Sequence, residues 1–176
     1  MGQHPDDAFL SFADIAPERA AQRLPGTNRS AMEMVLLLYR VTSTIVYDIE
    51  STVHRPAGWS WSAFRLLFTL WVAGPQEASR AAELSGMSRA AVSSLSRTLS
   101  TARLLERGPD ERDRRGVVLS LSAEGTSRLE TALRVHNQRE AEWAALLTPD
   151  ELEVFNSVLG KLARAARSES WVSHRF

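Results

Sequence analysis

The sequence contains no cysteine, and its 176 residues include a single lysine, Lys161. Without cysteine, the chain has no disulfide bond, no thiolate metal ligand, no cysteine nucleophile and no redox sensor that works through a thiol. Long apolar stretches are absent too, because the longest unbroken run is the six residues 34–39, against about twenty in a membrane-spanning helix. Residues 1–7 lack the basic stretch and apolar run that begin a secretory signal. These absences predict a soluble, cytoplasmic protein with no membrane partner.

Net charge is also absent, because 21 basic residues balance 21 acidic ones. A neutral chain is not expected to be coated in nucleic acid, although one local basic surface is compatible with neutrality. Apart from Lys161, every basic residue is an arginine, whose planar guanidinium suits phosphate groups and guanine edges. Codon usage in a GC-rich genome would produce the same bias. The hydrophobic fraction of 44% is sufficient for a sizeable core at single-domain length.

Apolar periodicity predicts a chain made mainly of α-helices behind an N-terminal arm. The arm, residues 1–29, contains three prolines and predicts only a short helix, 14–23, with Pro17 in its first turn. Residues 30–58 predict a long helix with more than one apolar face, as in a bundle or at a subunit interface. The C-terminal part, 123–168, predicts two further helices.

Two short helices, 77–84 and 88–104, are separated by only three residues in the middle of the chain. Ala82 is small enough for two helices to cross closely, and Gly86 permits the left-handed backbone of a tight turn. Val92 is then placed to pin the second helix against the first. This spacing predicts a helix-turn-helix, whose second helix enters the major groove of DNA.

The second helix of this motif divides into an inward stripe and an outward face. The predicted inward residues are Ala91, Val92, Leu95, Leu99 and Ala102. The candidate DNA contacts on the outward face and at its start are Ser88, Arg89, Ala90, Ser93, Ser94 and Arg97. Small side chains allow the helix to lie deep in a groove, arginine bonds guanine bidentately, and serines bond phosphates or base edges.

A charged segment between two short strands follows directly. Residues 104–107 and 117–121 predict the strands of a β-hairpin, and the residues between them form its charged tip. From Arg80 to Arg115, eight arginines stand against five acidic residues, which gives a charge of +3 within a neutral chain. A helix-turn-helix followed by such a hairpin is the order of a winged helix. The alternative interpretation is a solvated charged face with a surface loop.

Residues 58–125 resemble the winged-helix core of the MarR (multiple antibiotic resistance) family of bacterial repressors. The stretches that resemble the family are Leu104-Leu105-Glu106-Arg107, Pro109-Asp110-Glu111-Arg112-Asp113-Arg114-Arg115 and Val118-Leu119-Ser120-Leu121-Ser122-Ala123-Glu124-Gly125. The wing pattern of the family, an aspartate two residues before an arginine, falls on Asp113 and Arg115. The long N-terminal arm is one departure, and Gly116 in place of a frequent alanine is another.

The resemblance implies a fold that is mainly α with a small β-hairpin wing. It places a winged helix-turn-helix lobe at 59–122, between a dimerisation helix, 30–58, and C-terminal dimerisation helices, 123–168, with a tail at 169–176. The implied protein is a homodimer, is not an enzyme and requires no cofactor. Its two recognition helices would lie roughly 34 Å apart and read a pseudo-palindromic operator in double-stranded DNA.

The resemblance also assigns roles to the hairpin tip. Arg114 or Arg115 would enter the minor groove beside each recognition helix, and Asp113 would orient an arginine through a charge-assisted hydrogen bond. The candidate wing contacts are Arg112, Asp113, Arg114 and Arg115.

In the family, a small-molecule pocket lies between the dimerisation helices and the DNA-binding lobe, near the start of the helix that follows Ser60. The candidate ligand residues there are His54, Trp59, Trp61 and Arg65. Their rings and charges would hold a planar anion by stacking and ion pairing, so the implied effector is a small aromatic or phenolic acid that relieves repression. Alternatively, Trp59 is a hydrophobic staple before Ser60, the expected cap of the next helix.

Other chemistry has little support in the sequence. The histidines at 4, 54, 136 and 174 form no close pair, so a zinc site would have to assemble across the fold, with His54 and His136 as the pair to consider. No metal site is predicted. A phosphate-binding loop, a serine elbow and a recognisable carboxylate pair are all missing, which excludes most enzyme classes. Overall neutrality leaves one competing function, a winged-helix module that binds proteins and not DNA.

Overall fold

A computed structural model describes residues 5–109 and 116–168. Its helices are α1 Pro5–Arg23, α2 Arg29–Ile49, α3 Trp61–Ala73, α4 Ala78–Ser85, α5 Arg89–Thr101, α6 Ala123–Ala144 and α7 Pro149–Ser168. Its strands are β1 Gln76–Glu77, β2 Leu105–Pro109 and β3 Val117–Leu121, and α2 continues into a π-helical turn, Glu50–His54. The predicted fold class, mainly α with a small hairpin, is confirmed. No helix within the described ranges is long and apolar enough to span a membrane.

The chain divides into two compact units, Met1–Asp48 and Ile49–Phe176. In the first unit, Arg29 at the start of α2 forms an ion pair with Glu18 of α1. The predicted short helix at 14–23 is wrong in its start, because α1 begins at Pro5 and encloses Pro17. A proline inside a helix removes one backbone hydrogen bond, but nearby residues with high helix propensity, among them Ala16, Ala20 and Ala21, favour continuation of the helix.

Helices α2 and α7, which lie on either side of the lobe in the sequence, leave much apolar surface exposed. Along α2 only Ile49 is buried, whereas Val35 is 58% exposed and Tyr39 71% exposed. Along α7 the exposed apolar residues are Val154, Phe155, Val158 and Leu162. Continuous apolar faces of this kind are unusual on a monomeric protein and mark contact surfaces.

The core of the second unit is organised around α3. Ser60 caps this helix as predicted, since its Oγ accepts the Ala63 N–H at 3.2 Å. Gly74 ends the helix with a positive φ of 72°. The buried residues are Ala63, Phe64, Leu66, Leu67 and Leu70. Phe68 and Trp71 on the same helix are exposed and line a cleft.

The three strands form one antiparallel sheet in the order β1-β3-β2. Leu119 in the central strand is fully buried and pairs with Gln76 on one side and Arg107 on the other. The hairpin of β2 and β3 was predicted from the sequence. Strand β1 was not, because two residues are too few to show an alternating pattern.

A close approach between α6 and the start of β2 fixes the base of the hairpin. Ser122 caps α6 by accepting the Gly125 N–H at 2.9 Å, and its hydroxyl donates to the Arg103 carbonyl at 2.6 Å. A Cβ on Gly125 would lie 1.9 Å from the carbonyl oxygen of Leu104, far inside van der Waals contact. Only glycine therefore fits at this position.

Candidate nucleic-acid interface and ligand cleft

The turn between α4 and α5 has the geometry of a helix-turn-helix. Gly86 adopts the left-handed conformation with a φ of 62°, and its N–H donates to the carbonyls of Ala82 and Glu83. The Met87 N–H also donates to the Ala82 carbonyl, at 3.0 Å. Ser88 caps α5 by accepting the Ala91 N–H at 3.2 Å. These bonds hold the start of α5 at a fixed angle to α4.

The inward side of α5 differs in detail from the predicted stripe. Val92 and Leu99 are buried as expected, but Ala102 is exposed, because the helix ends at Thr101. Ser96, four residues after Val92, is fully buried in its place, and its hydroxyl donates to the Ser93 carbonyl at 3.1 Å. A serine that donates to its own helix can occupy a core position, so polarity alone does not place a serine on the outward face.

The outward side of α5 holds the candidate DNA contacts. Ser93 is half-buried, and the exposed members of the set are Ser88, Arg89, Ala90, Ser94 and Arg97. Their common exposure leaves a face of small side chains flanked by two guanidinium groups, suited to a major groove. The wing candidates Arg112, Asp113, Arg114 and Arg115 lie outside the described residues.

An open cleft of about 700 Å³ lies between α3 and α6. Its lining residues are Trp61, Phe64, Arg65, Phe68, Trp71, Glu130, Leu133, Arg134, His136, Asn137 and Glu140. The wall is largely aromatic, whereas two arginines and two glutamates supply charge. Trp71 donates its indole N–H to Glu130 at 3.3 Å, which ties the outer end of α3 to α6.

Stacked rings form the aromatic wall of this cleft. The ring of Phe64 packs against both imidazoles, with centroid distances of 4.2 Å to His54 and 4.5 Å to His136. Phe68 stacks on the outer side of Phe64 at 5.7 Å, and Trp61 stacks near His136 at 6.0 Å. Such a wall offers π-faces to a flat ligand.

Behind the wall, two buried histidines form a hydrogen-bonded chain that ends at Glu140. His54 Nε2 lies 2.9 Å from His136 Nδ1, and His136 Nε2 lies 3.0 Å from Glu140 Oε1. The carboxylate only accepts, so His136 donates from Nε2, and a neutral His136 then accepts the Nε2–H of His54. This assignment leaves the buried Nδ1 of His54 without a partner.

His54 resists protonation. Burial, and secondarily the neighbouring His136, lower the pKa of His54 from 6.5 to about 4. An added proton would place an N–H on the partnerless Nδ1 of His54, where no acceptor meets it. His54 is therefore neutral near pH 7, and its hydrogen bond to His136 joins the π-helical turn to α6.

The structure separates the four residues that the sequence suggested for ligand binding. Trp61 and Arg65 line the cleft, and His54 lies directly behind its wall. Trp59 is buried at a different cavity of about 420 Å³, where the guanidinium of Arg128 lies 5.7 Å from its ring centroid. The tryptophan that precedes the Ser60 cap and the one that follows it thus face different surroundings.

Sequence reasoning missed several cleft residues, chiefly Phe68, Trp71, Arg134 and Glu140. Two signals were available: a stripe on α3 wider than a core needs, and the four-residue spacing of His136 and Glu140, which places them on one helix face. In the parts of the chain that the structure describes, no group of three or more histidine, aspartate or glutamate side chains could hold a metal ion.

Comparisons with known proteins agree with this architecture. The profile of the MarR family matches residues 59–117. An uncharacterised HTH-type transcriptional regulator of Bacillus subtilis, YwaE, is 33% identical over 136 residues, which are 77% of this chain and 80% of YwaE.

Among solved structures, a mutant MarR from E. coli in complex with operator DNA has a TM-score of 0.69 at 19% identity, covering 81% of this chain and 96% of MarR. BpsR from Bordetella bronchiseptica, whose DNA binding is regulated by 6-hydroxynicotinic acid, has a TM-score of 0.69 at 21% identity, covering 74% of this chain and 98% of BpsR. At such identities the structures show the shared fold. With the profile match, the identity to YwaE and the winged helix-turn-helix itself, the chain belongs to the MarR family of DNA-binding transcriptional regulators.

Proposed function

We propose that the protein is a homodimeric repressor that binds a pseudo-palindromic operator and is released from it by a small aromatic acid. The observation that supports this most directly is the outward face of α5. It combines exposed Arg89 and Arg97 with small side chains, on a helix whose opposite side is packed against the lobe. In this proposal α5 lies in the major groove, Arg112, Arg114 and Arg115 contact the adjacent minor groove and backbone, and Asp113 orients one of these arginines.

The exposed apolar faces of α2 and α7 support the homodimer. A twofold dimer would cover these faces with the same helices of a second chain, and burial would remove apolar surface from water at about 25 cal/mol per Å². The two recognition helices would then lie about one DNA turn apart. Leu37, Leu38, Phe155 and Leu159 are proposed members of the interface.

The cleft between α3 and α6 supports the ligand. Its stacked rings suit a flat aromatic molecule, and Arg65 and Arg134 offer positive charge to a carboxylate. BpsR, which shares the fold, responds to an aromatic acid of this kind. The proposed dimer has a conformation in which the spacing of its two recognition helices fits DNA and one in which it does not. To release DNA, the ligand must bind the second conformation more tightly than the first.

Selection of bound fragments from genomic DNA, followed by affinity measurements on the selected site, tests the DNA-binding part. Arg97→Ala should cost about 1–3 kcal/mol and relax the preference at one base position. Arg115→Ala should weaken binding to all sequences and flatten its salt dependence. Unchanged affinity in both variants would overturn the assigned DNA face, and no selected DNA at all would favour a protein-binding winged helix.

Titration with 6-hydroxynicotinate and with 4-hydroxybenzoate tests the ligand part. Binding in the cleft should quench tryptophan fluorescence with the concentration dependence that releases DNA. Trp61→Phe should remove a large share of the quenching. Trp59→Phe is the matched control, because Trp59 lines the other cavity, and it should leave the quenching intact. Full DNA release without any change in fluorescence would place the ligand elsewhere.

A further inference from the structure

Arg65 belongs to two parts of the molecule at once. It lines the cleft between α3 and α6, and its Nη2 donates a hydrogen bond to the carbonyl oxygen of Ser85. Ser85 is the last residue of α4, and Gly86 follows it as the helix-turn-helix turn. A single guanidinium therefore connects the proposed ligand site to the segment that sets the start of the recognition helix.

The Ser85 carbonyl is one that the helix itself leaves unsatisfied. The turn after α4 uses the carbonyls of Ala82 and Glu83, which accept from Gly86 and Met87. Carbonyls in the last turn of a helix lack intrahelical donors and form the negative end of its dipole. Ser85 is also buried, with 6% of its surface exposed, so little water is available to replace the guanidinium. The bond from Arg65 is charge-assisted and meets this carbonyl where few other donors can.

We infer that Arg65 is the positioning residue through which an anionic group in the cleft acts on the recognition helix. This rests on the proposed function. A guanidinium has five N–H donors, and within the described residues the Arg65 guanidinium has no hydrogen-bond partner other than the Ser85 carbonyl. A carboxylate in the cleft therefore attracts the same guanidinium and draws it away from the carbonyl. The end of α4 loses its anchor, and the angle at which α5 leaves Gly86 is no longer fixed.

Arg134 provides the contrast that makes this inference specific. It also lines the cleft, but it lies on α6, it is exposed, and no hydrogen bond joins it to α4 or α5 in the described part of the chain. Both arginines attract an anion, yet only Arg65 touches the helix-turn-helix. Arg65→Gln and Arg134→Gln are thus a matched pair of variants.

The first experiment uses the full-length protein without ligand. Arg65→Gln should speed amide hydrogen exchange over residues 86–91 and weaken operator binding about tenfold, the size expected for a lost charged hydrogen bond. Arg134→Gln should change neither quantity. Arg65→Lys, which keeps a donor and the charge, should recover most of the affinity and so separates lost anchoring from misfolding. Unchanged exchange and affinity in Arg65→Gln would overturn the inference.

The second experiment adds 6-hydroxynicotinate or 4-hydroxybenzoate and follows fluorescence and DNA release together. At saturation, Arg134→Gln should release DNA as fully as the wild type, though at higher ligand concentration. Arg65→Gln should still quench on binding, while the ligand's effect on DNA affinity, at least about fivefold in the wild type, falls to near one. Full release in saturated Arg65→Gln overturns this inference alone. No release of the wild type by either acid overturns both the inference and the ligand part of the proposed function.

Discussion

The lobe built around α3 buries most of its apolar residues, whereas helices α2 and α7 expose many of theirs. Five residues of α3 are buried within the single chain, whereas α7 exposes Val154, Phe155, Val158 and Leu162. The two helices also differ in sequence, because α3 carries one charged residue, Arg65, whereas α7 carries six beside its apolar face. The core of the lobe is completed by its own chain, whereas in the proposed homodimer a second chain would cover the apolar faces of α2 and α7.

The largest expected effect tests this contrast directly. Phe155→Glu combined with Leu162→Glu should dissociate the dimer, because burying carboxylates against apolar surface costs several kcal/mol and lowers association by at least about a thousandfold. Sedimentation velocity over a range of concentrations measures it. Val72→Glu is the control, because Val72 is an apolar residue on α3 of the lobe that is even more exposed than Phe155 and Leu162. A dimer that survives the α7 changes and fails with Val72→Glu would reverse the roles of the two regions.

A second prediction concerns the tightest contact of the lobe. Gly125→Ala should lower the free energy of unfolding by about 3 kcal/mol, because its Cβ has to displace backbone and not a flexible side chain. Gly108→Ala is the control, since nothing lies within 4 Å of the added Cβ. Urea unfolding at fixed protein concentration measures both. Equal stability of the two variants would mean that α6 shifts without cost, and the lobe would be less self-contained than described.

The smallest expected effect is a pH dependence of the free energy of unfolding, which arises from His54 in the lobe. Because the pKa of His54 falls to about 4 in the folded protein, the unfolded chain binds a proton more readily. The contribution of His54 to the free energy of unfolding is full above pH 6.5. It decreases as the pH falls below that value and levels off below pH 4. The loss between pH 8 and pH 5 is about 2 kcal/mol.

Urea unfolding at several pH values, compared with His54→Gln, checks this sign and size. The variant should show a flatter profile, because residue 54 then has no titrating group beside His136 and Glu140. A wild-type profile that is equally flat would show that the buried histidine is already compensated.

Much of the lobe was predictable because its signals are local. Ser60 caps α3 where the sequence placed the cap. Ser122 and Thr148 cap α6 and α7 through equally local bonds, and Thr148 and Glu151 form a reciprocal capping box. The exceptions were also local, but they went against average preference. Pro17 sits inside a helix, and Ser96 sits in the core, because a proline or serine signal gives a tendency that surrounding residues can outweigh.

The cleft was predictable only in part, because its residues are distant in sequence. His54 and His136 are 82 positions apart, and no periodicity relates them. Trp59 and Trp61 are adjacent in the sequence pattern but lie at separate cavities, because the helix that starts at Trp61 turns its ring to another side. Which of two nearby aromatics faces a pocket depends on packing that a one-dimensional pattern does not contain.

The pairing of β3 with two neighbours has a consequence for how the wing can vary. Leu119 is buried and pairs with a strand on each side. A shift of the strand register by one residue would therefore turn its side chain towards solvent. The register is thus set at the base of the hairpin and not by the length of its loop. Insertions or deletions between Pro109 and Gly116 should then cost little, since doubling a loop adds only about 0.6 kcal/mol. The reach of the wing can be adjusted while the helix-turn-helix stays unaltered.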